Sequence, residues 1–437
     1  MERRLYKKLL EWKSKSDRMP LVLMGARQVG KTYLLTLFGK REYPNIHIFN
    51  FQENSALNDI FKKDLNPSRI LEELSIIQRK DINANTDFIL FDEVQECDEA
   101  VTSLKYFQEK MPELHIAAAG SLLGVKLNAS SFPVGKVEIY HLYPMSFCEF
   151  LEASSDNFAI RLYSEINRLE ASHKLLWEYT KQYYYVGGMP KAVEKWFSSA
   201  GINERVDSVR KIQKDILTGY EKDFAKHSGK INAVDIVALL NNIPLQLSRV
   251  IDGSVKRFRF KDVLPGKRTY SQLSNTISWL ENAGLIYKVF CIECRPQIPL
   301  KAFAKENIFK LFLFDIGMLG AMLELSYTSL MDQSYGITKG FFAENFVACE
   351  LKAMGHETMY SWSESKSEIE FLYVNEKSDI FPLEVKSGKK TKAKSLESYV
   401  NRHSPEKTIK LVGKAGGSDK LRLVLPLYYA GRLDDIL

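Results

Sequence analysis

The octapeptide GARQVGKT, Gly25 to Thr32, constrains the fold of this chain more tightly than any other stretch. It fills every fixed position of G-x-x-x-x-G-K-[ST], follows the apolar run Leu21 to Met24 and precedes the helical pattern KTYLLTLF. Strand, glycine-containing loop and helix N-terminus in that order make an anion cradle. Backbone N–H groups of Gly25, Ala26, Arg27, Gln28, Val29 and Gly30 surround phosphate oxygens. The Lys31 ammonium reaches the β and γ phosphates, and the Thr32 hydroxyl ligates Mg²⁺. The expected ligand is a nucleoside triphosphate with Mg²⁺.

FILFDEVQ, Phe88 to Gln95, supplies the chemistry that such a loop needs. An apolar strand ends in two acids: Asp92 is expected to hold Mg²⁺, and Glu93 to polarise the water that attacks the γ phosphate. Two acids capping a helix would look the same alone, but the loop upstream favours the catalytic reading. The runs Leu21 to Met24, His47 to Phe51, Phe88 to Phe91 and His115 to Ala119 alternate with helical patterns, which predicts an α/β domain with a mainly parallel sheet. Ser121, after the last of these runs, is a candidate γ-phosphate sensor, or a small residue that turns the chain.

At 437 residues the chain exceeds one ordinary core. With 45% hydrophobic and 26% charged residues it is globular rather than disordered. A formal charge of +7 suits a nucleic-acid binder without requiring one. The N-terminus lacks a secretory core, and Leu311 to Leu325 is interrupted by Asp315, Gly317, Gly320 and Glu324, so the expectation is a cytoplasmic protein without membrane spans. The five cysteines fit free thiols, and Cys291 with Cys294 has no second ligand pair to complete a zinc site.

Beyond residue 150 the pattern becomes helical and aromatic up to about Phe224. Ser271 to Asn282, a turn at Gly284 and an apolar run from Leu285 to Phe290 resemble a winged-helix module, next to the basic, aromatic stretch Lys256 to Tyr270. From Thr338 the order is helix, strand, strand, strand, helix, strand. Four domains are expected: a nucleotide domain at 1–150, a helical lid at 151–230, a winged-helix-like domain and connector at 231–337, and a last α/β domain at 338–437.

Several resemblances bear on these segments. A strand at Ile48 between the loop strand and the Asp-Glu strand is similar to the additional-strand, catalytic-glutamate class of P-loop NTPases, which includes AAA-type and STAND-type families. MGARQVGKT, FDEVQ, AAGSLLG, LYPMSFCEF, YVGGMPKAV and LFLFDIGM together resemble a prokaryotic family of ATPases with a C-terminal domain of uncharacterised function. The resemblance implies ATP as the nucleotide, hydrolysis of it and a link to DNA. No arginine finger and no oligomeric state are assignable.

The tail also resembles the PD-(D/E)XK nuclease fold. Glu344 stands on the helix, Glu370 on the second strand of the meander, and Glu384 with Lys386 on the third. In that fold the acids bind Mg²⁺ at a scissile phosphate and the lysine orients water. Relatives carry Asp where this chain has Glu370, which is one methylene longer. Lys389, Lys390, Lys392 and Lys394 follow as candidate phosphate contacts. Three readings stay open for the tail: a cutting site, a degenerate nuclease-like binding domain, and a solvated strand end.

Overall fold

Some N-terminal strand runs are apolar throughout and others alternate, and this difference fixes their places in the sheet. The computed structural model describes residues 3–121, 132–133, 135–167, 169–228, 230–248, 257–336, 338–365, 367–387, 394–418 and 421–437; Lys256, Lys389, Lys390 and Lys392 lie outside the described residues. Strands β1 (Leu21–Met24), β2 (Ile46–Asn50), β3 (Phe88–Asp92), β4 (His115–Ala119) and β5 (Glu138–His141) form a five-stranded sheet in the order β2-β3-β4-β1-β5. Every pairing in it is parallel. β1 and β3 are buried at each residue, as strands covered on both faces must be, whereas the edge strands β2 and β5 alternate in exposure.

The strand at Ile48, which precedes the Asp-Glu strand in sequence, sits at the sheet edge. The strand inserted in space between β1 and β3 is β4, so Ser121 follows the strand that separates the loop from the two acids. Trp12 of the helix Leu5–Ser14 is fully buried, with its ring 6.3 Å from Phe38 and 6.4 Å from Phe88.

The chain divides into two compact units, Met1–Tyr143 with Asn282–Gly284, and Pro144–Glu281 with Leu285–Leu437. The second unit holds an eight-stranded sheet in the order β12-β13-β11-β10-β9-β8-β6-β7. Its strands are β6 (Ile286–Ile292), β7 (Ala304–Leu313), β8 (Met359–Glu364), β9 (Ser367–Val374), β10 (Ile380–Lys386), β11 (Thr408–Val412), β12 (Gly417–Ser418) and β13 (Arg422–Pro426). The expected helix, turn and strand are present as Tyr270–Asn282, Gly284 and β6, and β6 pairs with β7 as an antiparallel hairpin. β6 also pairs in parallel with β8. One sheet therefore crosses the boundary expected at 337/338, because the hairpin completes its backbone hydrogen bonding on a tail strand.

The motifs PMSF, YVGGMP and LFDIGM meet inside this unit. Met145 N–H donates to Gly188 O at 2.7 Å, and Gly188 N–H donates to the Asp315 carboxylate at 2.6 Å. The Tyr183 hydroxyl donates to Met145 O at 2.6 Å, and Phe147 N–H donates to Glu350 of the helix Thr338–Met354 at 2.8 Å. Gly188 is required by closeness: a Cβ there would lie 2.1 Å from Met145 O. Burial raises the Asp315 carboxyl to about 6, although backbone N–H groups of Gly188, Met318 and Gly317 pull it down.

Candidate functional site

The loop after β1 folds as its sequence requires. Gly25 and Gly30 adopt φ of +147° and +95°, and a Cβ on Gly25 would lie 2.2 Å from Leu142 O, so this backbone is open only to glycine. Gly30 then caps the helix Lys31–Glu42. Lys31 is buried, and its Nζ donates to the carbonyls of Gly25 and Ala26 at 2.9 Å each. Burial lowers its pKa to about 8, against the opposing pull of Glu93 and Asp92. The buried Arg3 guanidinium donates to Val29 O at 2.8 Å and to Tyr143 O at 2.6 Å.

Thr32 and Asp92, the two expected Mg²⁺ ligands, are adjacent: the Thr32 hydroxyl donates to Asp92 Oδ1 at 2.8 Å. Burial raises the Asp92 carboxyl above its ordinary value, and the Thr32 bond offsets part of that rise. Ammonium, hydroxyl and carboxylate converge on the glycine cradle, a donor set that fits a triphosphate with its metal. Glu93 follows with a left-handed backbone, φ +49°, and its carboxylate accepts from Gln95 Nε2 at 2.6 Å. The sequence alone assigns no role to Gln95, although it lies within FDEVQ. Ser121 is buried beyond β4.

The tail acids also come together, but with lysines between them. Leu383 lies opposite Phe371 in the antiparallel β9–β10 ladder, so Glu384 and Glu370 come one step further along. Like charges so placed repel, and Lys386 answers them with its Nζ 3.3 Å from a carboxylate oxygen of each. Glu370 also accepts from Val385 N–H at 3.2 Å. Lys410 is the cross-strand neighbour of Glu384 in the parallel β10–β11 ladder, and its Nζ lies 3.5 Å from the second Glu384 oxygen. Lys310 of β7 lies 3.6 Å from Glu344 and pairs more closely with Glu368.

Glu344, Glu370, Glu384, Lys310 and Lys410 are all buried. Burial pushes the Glu370 carboxyl up to about 7; Lys386 pulls it down, and Glu344 and Glu368 push it further up. Burial lowers the Lys310 and Lys386 ammonium pKa values, but the neighbouring glutamates more than reverse this. Among the described residues, no group of three or more His, Cys, Asp or Glu is placed to hold a metal ion. Each tail acid is instead answered by a lysine, a donor set that does not fit the expected Mg²⁺. The motifs do not single out Lys310 and Lys410, though each is a cation inside an apolar strand run, and such a cation needs a buried partner.

Residues 17–151 match the family model described as an AAA domain. The N-terminal domain is of the P-loop AAA type. Residues 178–329 and 339–427 match two domains of unknown function, DUF8612 and DUF4143. No curated protein matches the chain. Among solved structures, the Walker-type ATPase PABY2304 of Pyrococcus abyssi is similar at 16% identity and a TM-score of 0.45, over 73% of this chain and 94% of that one. The Aeropyrum pernix ORC1 protein in complex with DNA is similar at 13% identity and a TM-score of 0.28, over 75% and 92%. The Pyrococcus horikoshii STAND protein PH0952, with a tetratricopeptide repeat sensor, is similar at 14% identity and a TM-score of 0.26, over 81% and 45%. All three TM-scores lie under 0.5, and these likenesses carry no weight beside the chain's own residues and its AAA domain. Among the described residues, no helix is long and apolar enough to cross a membrane.

Proposed function

We propose that the chain is a Mg²⁺-dependent ATPase whose AAA domain controls a nuclease-like tail directed at DNA. The single observation behind the ATPase reading is the convergence of Lys31, Thr32 and Asp92 on the glycine cradle, with Glu93 the next residue of the chain. In this reading Lys31 and the loop N–H groups bind the β and γ phosphates, and Thr32 and Asp92 hold the metal. Bound Mg²⁺ supplies positive charge that offsets charge on the phosphate oxygens. Glu93 accepts a proton from the attacking water, and Gln95 positions the Glu93 carboxylate. Ser121 faces the γ phosphate. The test is ATP hydrolysis: Glu93→Gln is expected to bind ATP but hydrolyse it at least about 100-fold more slowly, and Lys31→Ala to lose binding. Hydrolysis that survives both changes would overturn the reading.

The nuclease-like reading of the tail is supported by the order of its elements. The helix bearing Glu344, the meander β8-β9-β10, the helix Lys394–His403 and the strand β11 parallel to β10 follow one another as that fold requires. Exposed Arg259, Lys261 and Arg268 offer further phosphate contacts. Cytoplasmic placement belongs to the same reading. A second reading has a specific observation in its favour: the four tail glutamates are ion-paired with three lysines. In it the tail recognises nucleic acid or protein without cutting, and the chain is a nucleotide-dependent binding switch. Supercoiled plasmid incubated with Mn²⁺ separates the two. Nicking that disappears in Glu384→Gln supports cutting, and its absence supports the switch.

A further inference from the structure

We propose that Lys310 is the resident cation of the tail, its ammonium taking between Glu344 and Glu368 the place of a divalent metal ion. This deepens the second reading of the tail and rests on it.

The placement of Lys310 follows from the shape of the sheet. β7 and β9 are separated by β6 and β8, and strands lie about 4.8 Å apart. In a flat sheet, side chains that stand perpendicular to it would not meet across that gap. Yet Lys310 on β7 pairs with Glu368 on β9, and the rings of Phe312 and Phe371 lie 6.0 Å apart. The sheet is therefore curled, with β7 brought round toward β9. The helix Thr338–Met354 contacts both β7 and β10, and from it Glu344 completes the set around the Lys310 ammonium.

Charge decides what the cluster can hold. Four carboxylates, Glu344, Glu368, Glu370 and Glu384, face three ammonium groups, Lys310, Lys386 and Lys410. A divalent ion entering this set would meet the buried ammonium groups of Lys310 and Lys410 in a medium of low dielectric, where like charges repel strongly. Both oxygens of Glu384 already face ammonium groups, so the charge of that acid is answered without a metal. Lys310 also has nowhere better to go. It lines a mostly apolar pocket with Ile243, Leu247, Phe258 and the cation Arg257, so withdrawal there would strand the charge.

β7 lies outside the 339–427 span of the tail family model. The cation that fills the tail cluster is thus contributed by the hairpin that precedes the tail. A set of acids with nuclease-like spacing is in this way made metal-independent by one side chain from another stretch of the sequence.

The test counts Mn²⁺ bound by nucleotide-free full-length chain, by electron paramagnetic resonance of free Mn²⁺. Any contribution of the AAA domain is common to all variants. Wild type is expected to show no equivalent that depends on Glu344 or Glu370, so Glu344→Gln and Glu370→Gln should leave its count unchanged. Lys310→Met, which keeps the length of the side chain without the charge, is expected to gain about one equivalent, and adding Glu344→Gln should remove it again. The proposal is overturned by an equivalent in wild type that Glu344→Gln abolishes, or by a folded Lys310→Met that gains nothing. If Lys310→Met does not fold, the wild-type comparison decides alone. If wild type holds no such ion yet binds neither nucleic acid nor protein, the second reading of the tail fails while the role of Lys310 stands.

Discussion

Lys31 combines burial with a task that needs charge. Its pKa of about 8 in the nucleotide-free chain means that the ammonium form, the form that binds phosphate, is lost as pH rises through about 8. ATP affinity is therefore expected to hold below pH 8 and to weaken by up to about tenfold per pH unit above it. Lys31→Arg should flatten that fall, because guanidinium stays charged. Calorimetric titration from pH 7 to 9.5 checks this, and a pH-independent wild type would contradict it. Glu370 gives the opposite kind of signal. Its folded pKa of about 7 lies above the ordinary 4.5, so the folded state binds more protons between those values. Its contribution to stability is present below about 4.5 and is lost as pH rises through about 7. Glu370→Gln should show a shallower fall in denaturation midpoint across that window, and an unchanged slope would refute the assignment. At this scale the nucleotide loop was legible because its chemistry is local: GARQVGKT carries its own backbone geometry. The tail acids were legible as types at spacings, but their partners were not, because Lys310 reaches Glu368 only through the curl of the sheet.

Strands and helices were legible where burial imposes a simple pattern. β1 and β4 run over the stretches that their apolar runs mark, and the Tyr270–Asn282 helix and β6 follow from periodicity and Gly284. What periodicity does not carry is which strands pair: nothing within β6 says that its second neighbour is β8. Nor does it explain motifs without chemistry. YVGGMP and LFDIGM, distinctive yet without a catalytic role, belong to one buried junction in which Gly188 passes Met145 without room for a side chain. Gly188→Ala is expected to cost about 1–3 kcal/mol by displacing that backbone. Urea denaturation measures it, and an unchanged midpoint would show that the junction yields freely.

In the whole molecule, the second unit holds together through one sheet assembled from segments on both sides of residue 337. A fragment 338–437 would leave the β8 edge unpaired and the buried Glu344 without Lys310. An open edge invites pairing with other chains, and a buried charge stripped of its partner costs about 3–5 kcal/mol. That fragment is expected to aggregate, whereas 144–437 should unfold cooperatively. Analytical ultracentrifugation and denaturation of the two fragments test this, and a monomeric, cooperatively folding 338–437 would refute it.

The hairpin β6–β7 also limits how such a chain can be recombined. A chimera joined anywhere between residues 314 and 343 would take its tail acids from one parent and their Lys310 from the other. A hairpin parent with an uncharged residue at that strand position would leave the other parent's tail short of one positive charge. Seams chosen from sequence similarity alone would fall in this interval, since the two uncharacterised spans meet between 329 and 339. Parents therefore have to be matched for the residue at 310 as well as for their acids.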